Sequence, residues 1–344
     1  MIVYIAYFFF IIVLAVFTQN ARNGKNTFLF WSILVMWLMI GFRSIAIGSD
    51  TADYAQQFIR TEHLNLQYVK EPLFAIATYA IRQLTDNFNI YFLIIESVYC
   101  LSLYLLLKKF LNNSIEALIA ISLLFLLGIY AFSVAGLRQT IAIGFVILAL
   151  LATVKKKWWL YAICIALATG FHNSALMMIP MFLFPKIGLK RFAVPLVVGM
   201  VLLGLFAPQE IISFLSAEDS MVGDRYGTYG TVYESHQNFT GFFLQLILVS
   251  LAHYRRDKIV MTEELKNLFF NMAYLGLGFQ SMTIVVAEFF RVSFYFCIFD
   301  IVLAPLALST YGKNRNFIYL AFMIGCLFYI FVLAQESVIP MVRQ

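Results

Sequence analysis

Apolar residues come along this chain in long runs rather than in alternation. Stretches such as IVYIAYFFFIIVLAVF (2–17) and IAIGFVILALLATV (141–154) offer no polar face to water. A helix that is apolar all round is buried in protein or lipid, and the apolar residues, 62% of 344 or about 213, supply at about 20 per crossing roughly ten to twelve membrane spans. Set against the basic clusters that interrupt the runs, spans are predicted near residues 2–18, 27–42, 89–107, 114–132, 138–154, 158–171, 173–184, 192–207, 240–254, 267–286, 292–309 and 317–333. The expectation is an all-α polytopic membrane protein of about 12 transmembrane helices, forming one domain over 1–344.

Composition sharpens that reading. The chain is 62% hydrophobic and 12% charged, with a mean hydropathy of +0.86, whereas a soluble domain is about half apolar and a quarter charged. A water-soluble globule is excluded. The net charge of +6 speaks to orientation, because no basic stretch has the interleaved aromatics of a nucleic-acid footprint, and nucleic acid is not an expected partner. Cys100, Cys164, Cys297 and Cys326 lie within apolar runs, without zinc or disulfide spacing, and read as packing residues. The first segment has neither a basic residue ahead of it nor a small-residue cleavage site behind it, so it reads as a retained helix.

Basic residues orient the spans. Arg22 and Lys25, Lys108 and Lys109, Lys155 to Lys157, Lys186 with Lys190 and Arg191, Arg255 with Arg256, Lys258 and Lys266, and Lys313 with Arg315 fall in alternate loops and make up 16 of the 24 basic residues. Placing them in the cytoplasm satisfies the positive-inside rule with both termini outside. The run EPLFAIATYAIRQL (71–84) breaks the alternation and is short, which suits an interfacial helix within one external region from Arg43 to about Phe88. The pair 158–171 and 173–184 must cross and return between Lys157 and Lys186, as a re-entrant hairpin or as two short spans, with FHN (171–173) at its tip. Backbone turning at membrane depth must face protein or a water-filled cavity, so the tip is a candidate wall of a site. A second external loop, 208–239, contains GDRYGTYGTVY.

Candidate chemistry gathers at the outer ends. Glu96 and Asp300 lie inside predicted spans, where helix packing or a buried hydrogen bond accounts for them as well as a transport pathway does. Arg43 ends the second span, Arg138 begins the fifth and Arg291 begins the eleventh, so three guanidinium groups share one membrane level. Guanidinium binds phosphate oxygens in a bidentate manner, and helix-end arginines also anchor to lipid headgroups. In GFRSIAIGSDTADYAQQF (41–58), Asp50 suits a helix N-cap, and Asp53 and Tyr54 follow in the first turns. Those carboxylates can hydrogen-bond or deprotonate a sugar hydroxyl. His172, at the hairpin tip, is the candidate imidazole base, with a structural hydrogen bond as its alternative; His236 is a looser candidate, and His63 and His253 read as loop or helix-end residues.

These residues also carry a resemblance. Arg43, Gly48, Asp50 and Tyr54 in the spacing R-x4-G-x-D-x3-Y, then LRQTIA (137–142), FHNSAL (171–176) and RVSFYF (291–296), resemble in order the EpsG family of bacterial exopolysaccharide membrane proteins, close to Wzy-type polymerases. The resemblance covers most of the chain, although the loop after Pro208 offers little to match. It implies a fold related to the GT-C glycosyltransferases and polymerisation of polyprenyl-diphosphate-linked repeat units on the outer face of the bacterial cytoplasmic membrane. Lipid-linked glycans and membrane lipids would be the partners, with a chain-length regulator protein as a further one. The expected reaction breaks the bond between an anomeric carbon and diphosphate, a leaving group that needs charge stabilisation more than protonation. Arg138 and Arg291, then Arg43, with Tyr54 and Arg225 beside them, are the expected binding residues; Asp50, Asp53 or His172 would orient or deprotonate the acceptor. No metal and no cofactor is expected. A flippase of lipid-linked glycans and a glycan ligase are the rival readings, the first disfavoured because neither midplane arginines nor two similar halves are visible.

Overall fold

The computed structural model describes residues 2–64, 66, 71–206, 240–283 and 289–333. Among the described residues all regular structure is helical and no strand occurs. The expected external loop 208–239, with Arg225 and His236, lies outside them. The chain divides into two compact units, Met1–Phe182 with Pro305–Gln344, and Leu183–Ala304.

In the first unit, α5 (Phe88–Phe110) and α8 (Leu137–Val154) run side by side in the same direction. Phe92 and Ile95 of α5 pack with Leu137 and Ile141 of α8 near their N-terminal ends. The preceding α2 (Gly24–Gly41) runs antiparallel to α5: Trp37 Nε1 donates to the Leu93 carbonyl at 2.9 Å, and Lys25 Nζ donates to the Lys108 and Leu111 carbonyls at 2.7 and 2.6 Å. A cation there complements the negative end of the α5 dipole. The first helix, α1 (Ile2–Thr18), is fixed to α2 by Tyr7 Oη donating to Ser32 O at 3.1 Å, and to α6 (Ser114–Leu126) by Thr18 Oγ1 donating to Ser114 Oγ at 3.0 Å. Its Tyr4, Tyr7, Phe8, Ile11 and Ala15 are buried, whereas Ile2, Val3, Ile5, Phe9 and Phe17 are exposed. An apolar face left open in this way is built for lipid rather than water.

Two distinct ends result. Lys25, Lys108, Lys109 and Lys155 to Lys157 gather at one end of the first unit, because α5 and α8 are parallel and α2 opposes them. At the other end, α3 (Thr51–Arg60) and α4 (Pro72–Arg82) form a cover. Ala55, Phe58, Phe74 and Ile81 of the cover join Tyr91 and Phe92 in one apolar cluster, and Phe58 stacks on Tyr91 at 4.4 Å between ring centres. Between α6 and α8 a short helix, α7 (Ile129–Ala135), is bent by 57° from α6.

The hairpin after Lys157 takes a form that the sequence pattern did not suggest. An α-helix, α9 (Trp158–Phe171), is followed by a 3-10 helix, Asn173–Lys186. Pro180 and Pro185 each remove a donor from an α ladder. At about 2.0 Å rise per residue against about 1.5 Å in an α-helix, 14 residues reach ~28 Å instead of ~21 Å, close to the hydrocarbon thickness. The return path is tied to α9 by Tyr161, whose hydroxyl lies 2.8 and 2.6 Å from the Met178 and Ile179 carbonyls.

The second unit contains α10 (Ala193–Phe206), α11 (Thr240–Arg255), α12 (Glu263–Met282), α13 (Phe289–Cys297) and the start of α14 (Asp300–Ser309), which is bent by 48° from α13. Asn271 of α12 donates to the Phe184 and Ile187 carbonyls at 3.1 and 2.6 Å. Lys190 pairs with Asp257 at 3.2 Å and Arg256 with Glu263 at 2.9 Å, so the basic residues of this unit are held at one place by acids. Asp300 is buried and accepts from Gln245 Nε2 at 2.9 Å, the hydrogen-bonded arrangement weighed for it above. The last helix, α15 (Arg315–Phe328), returns to the first unit.

Among the described residues four stretches are long and apolar enough to cross a membrane, Gly24–Gly41, Phe88–Phe110, Leu137–Val154 and Gly312–Val332. Counting each bent pair as one span brings the number to six, while Ile2–Thr18 and Trp158–Phe171 are apolar but shorter. The protein is therefore a polytopic membrane protein, helical in all the regular structure of its described residues. This number does not confirm the twelve crossings expected from apolar runs, several of which are divided among the described residues between short, bent or 3-10 segments.

Candidate functional site

Beneath the α3–α4 cover, three side chains from distant parts of the sequence meet. Glu71 lies just ahead of Pro72, which occupies the first turn of α4. A residue before proline is held out of the α region, and Glu71 lies outside it at φ −128° and ψ 74°, ahead of the first helical turn. Arg138 lies in the first turn of α8. His172 is the C-cap residue of α9, in extended backbone, where the chain turns back into the 3-10 helix. Gly170 makes the approach of α4 to α9 feasible: a Cβ there would lie 2.4 Å from a side-chain carbon of Leu73.

One carboxylate serves both partners. Arg138 Nη1 donates to Glu71 Oε2 at 2.9 Å, and His172 Nδ1 is hydrogen-bonded to Glu71 Oε1. Glu71 is only 4% exposed. Burial pushes its carboxyl upward, but hydrogen bonds and charge from His172 and Arg138 outweigh it and hold the group at about 2. Glu71 is thus ionised at any working pH. A carboxylate only accepts, so Nδ1 of His172 is the donor and Nε2 is the nitrogen left for other work.

Arg138 keeps part of its fork in reserve. Besides Glu71 it reaches Gln57 Oε1 of α3 at 3.4 Å, and its guanidinium lies 4.9 Å from the ring centre of Phe74 and 5.7 Å from that of Tyr54. Its Nε is buried without an acceptor. Burial pushes the Tyr54 hydroxyl up, against the pull of Arg138 beside it, so this side chain is a neutral hydroxyl at the edge of the cluster.

The other expected site residues are placed differently. Arg43 is buried, and its guanidinium donates to the Ile40 carbonyl at 2.6 Å, the Val134 carbonyl at 3.1 Å and Thr51 Oγ1 at 3.2 Å, while it stacks 4.1 Å from the centre of Phe92. It closes the C-terminal ends of α2 and α7 and ties α3 to both. Asp50 occupies the N-cap position of α3 without a side-chain cap bond. Asp53 is exposed, since α3 buries Thr51, Ala55 and Phe58 on its other face. Arg291 is half-buried in α13 of the second unit, 5.8 Å from the centre of the Phe290 ring. Arg225 lies outside the described residues. Among the described residues no three His, Cys, Asp or Glu side chains converge as metal ligands.

Sequence reasoning paired none of its candidates with Glu71 or Gln57. The signal that pointed to Glu71 was a lone carboxylate opening the apolar run 71–84 ahead of a proline, read only as the start of an interfacial helix.

A half-buried arginine and histidine that meet on a buried carboxylate under a helical cover, in a chain whose described residues are helical and apolar, define a class, that of integral membrane proteins with a polar site at one end of the helices. The EpsG family model matches residues 26–341, and the chain belongs to the EpsG family, a Wzy-type polysaccharide polymerase family. No curated protein and no solved structure matches the chain. At the level the family defines, the protein is a membrane-integral polysaccharide polymerase with glycosyltransferase-like activity.

Proposed function

We propose that the protein joins polyprenyl-diphosphate-linked repeat units on the outer face of the bacterial cytoplasmic membrane, and that Arg138 and His172 carry out the transfer. The observation that carries this reading is the Glu71–Arg138–His172 cluster, which combines a guanidinium with unused donors and an imidazole whose Nε2 is uncommitted. In the reaction, a hydroxyl of the acceptor unit attacks the anomeric carbon of the donor glycan. His172 Nε2 takes the hydroxyl proton, the new C–O bond forms, and the C–O bond to diphosphate breaks with its electron pair leaving on the lipid diphosphate. Arg138 stabilises that charge with N–H groups not used by Glu71 or Gln57. On this reading arginine rather than a metal ion neutralises the leaving group.

Tyr54 and Gln57 line the same place from α3 and suit sugar hydroxyls or phosphate oxygens. Asp50 and Asp53 stand at the rim and are assigned no proton transfer. Arg43, with its donors directed to backbone carbonyls and Thr51, is assigned to structure. Arg291, in the second unit, and Arg225, outside the described residues, keep the lipid-diphosphate-binding role that the resemblance implies for them. A GT-C-like architecture and a chain-length regulator as partner belong to the same proposal and rest on the family.

Deletion of the gene, followed by analysis of the surface glycan, tests this reading. Loss of long chains with single repeat units retained is the expected result. Loss of all external units would make the protein a flippase, and long chains that accumulate on the lipid would make it a ligase.

A further inference from the structure

Two buried oxygens in the second unit face no donor. Asp300 opens α14 where the path bends by 48° from α13, and it is 2% exposed. Its Oδ2 accepts from Gln245 Nε2 of α11 at 2.9 Å, while its Oδ1 has no hydrogen-bond partner. Gln245 is equally buried, and its own Oε1 is likewise without one. We propose that Asp300 is a proton-binding site: it holds a proton on Oδ1 and donates it to Gln245 Oε1, forming a carboxyl–amide pair that locks α11 to the bend between α13 and α14.

An ionised carboxyl only accepts, and an amide oxygen only accepts. With Asp300 ionised, Oδ1 and Oε1 are therefore two acceptors buried with nothing to accept from, an arrangement that native interiors avoid. Turning the amide over does not cure this. Oε1 would then face Oδ2, oxygen against oxygen, and a proton would be needed there instead. One proton on the carboxyl gives the first oxygen a role as donor and the second a bond to accept, and leaves the existing Nε2–H···Oδ2 bond in place.

Charge leads to the same state. The bent pair Phe289–Cys297 and Asp300–Ser309 is long and apolar enough to cross a membrane, and Asp300 falls near its middle. An ion at that depth requires a counter-ion, and among the described residues no cation pairs with Asp300. The groups that face it are the Gln245 amide from α11 and the Cys297 thiol from α13, which brings no positive charge. From α12, Gly276 gives the pair room: a Cβ there would lie 3.0 Å from Gln245 Nε2 and 3.2 Å from the backbone nitrogen of Cys297. Broken spans are places where membrane proteins bind small ions, and here the ion is a single proton. It is retained through turnover, because both hydrogen bonds of the pair are used in holding helices together, and it fixes the angle of α13, the helix that carries Arg291.

Infrared spectroscopy of the full chain in an ester-free detergent reads this proton. The difference between wild type and Asp300→Asn at neutral pH should contain the carbonyl stretch of a neutral carboxylic acid, lowered in deuterium oxide. The bands of an ionised carboxylate in its place overturn the proposal. In Gln245→Met, which keeps the length of the side chain and removes both amide atoms, the stretch should move up to that of a less hydrogen-bonded acid. Gln245→Asn, which withdraws the amide by one carbon, gives the same comparison if the first variant does not accumulate, and an unmoved band overturns the pairing with Gln245. Because Asp300→Asn rebuilds both hydrogen bonds as an amide–amide pair, its melting temperature and its polymer should match those of wild type, whereas Asp300→Ala should melt lower. Asp300→Asn that melts normally but makes no polymer would show that the proton leaves during turnover, and would overturn the lock. Low abundance of Asp300→Asn overturns it as well, since a neutral isostere would then fail where a neutral acid is required.

Discussion

Replacing Arg138 by lysine separates two tasks that a cation at the start of α8 performs. Alanine is the wrong probe, because it would remove the Arg138 guanidinium from the buried Glu71 carboxylate, a loss of about 3–5 kcal/mol that threatens the fold before it informs on chemistry. Lysine keeps a positive charge on a long stem and can still reach Glu71. It gives up the planar fork, the second contact at Gln57 Oε1 (3.4 Å) and the Nε–H that is buried without an acceptor. What is lost is therefore the set of donors available to a diphosphate while the ion pair with Glu71 survives. Removing a positioned donor from a developing anion costs about 2–4 kcal/mol in the transition state, a rate fall of roughly 30- to 1,000-fold. In a deletion strain complemented with Arg138→Lys, the polymer ladder should collapse toward single repeat units while the amount of protein in the membrane stays near that of wild type. Arg60→Lys, in an exposed side chain at the end of α3, is the matched control and should give normal polymer. Normal polymer from Arg138→Lys at normal abundance would make Arg138 an anchor and remove the principal member of the site.

Three further outcomes are expected. Arg43→Lys should lower abundance and thermal stability by about 2–4 kcal/mol, through loss of hydrogen bonds to the Ile40 and Val134 carbonyls and Thr51, while the surviving protein keeps its turnover per molecule; a normal melting temperature with failed turnover would move Arg43 back into the site. Glu71 is held at about 2 against an ordinary 4.5, so its contribution to stability is complete above about pH 4.5 and is lost as the pH falls toward 2. Thermal unfolding across that window should therefore weaken more steeply in wild type than in Glu71→Gln, and parallel curves would contradict the ion-pair geometry. For orientation, Ala46→Cys in the exposed turn after α2 should react with an impermeant reagent from outside, and Lys157→Cys between α8 and α9 should not. Ala46 is preferable to the neighbouring Gly48, whose φ of +89° and close approach to Val134 penalise any side chain; labelling of Lys157→Cys from outside would invert the topology.

Apolar runs and basic clusters by themselves determined that the chain lives in lipid as helices, where most of those helices start and stop, and, within the first unit, which basic loops share an end. These are properties of single segments: a helix bonds its own backbone, and each crossing must place its cations on one side, so neither requires knowledge of a neighbour. Predicted spans at 89–107 and 158–171 accordingly meet α5 and α9 closely, and the interfacial run 71–84 meets α4. The order of motifs also pointed to the family. Tertiary structure decided which polar residues meet. Arg43, Arg138 and Arg291 look alike as arginines at helix ends, yet the packing of α2, α3 and α7 spends Arg43 on carbonyls, while Arg138 is left facing a carboxylate 67 positions earlier. Glu71 read as the first residue of a surface helix until α4 packed on α9 and carried it between Arg138 and His172. The 3-10 return of residues 173–186 was likewise out of reach, because a chain adopts that poorer hydrogen-bond geometry when two prolines and a fixed distance to cover leave an α-helix too short. Side-chain partnership depends on which helices lie together, and no periodicity within one helix encodes that.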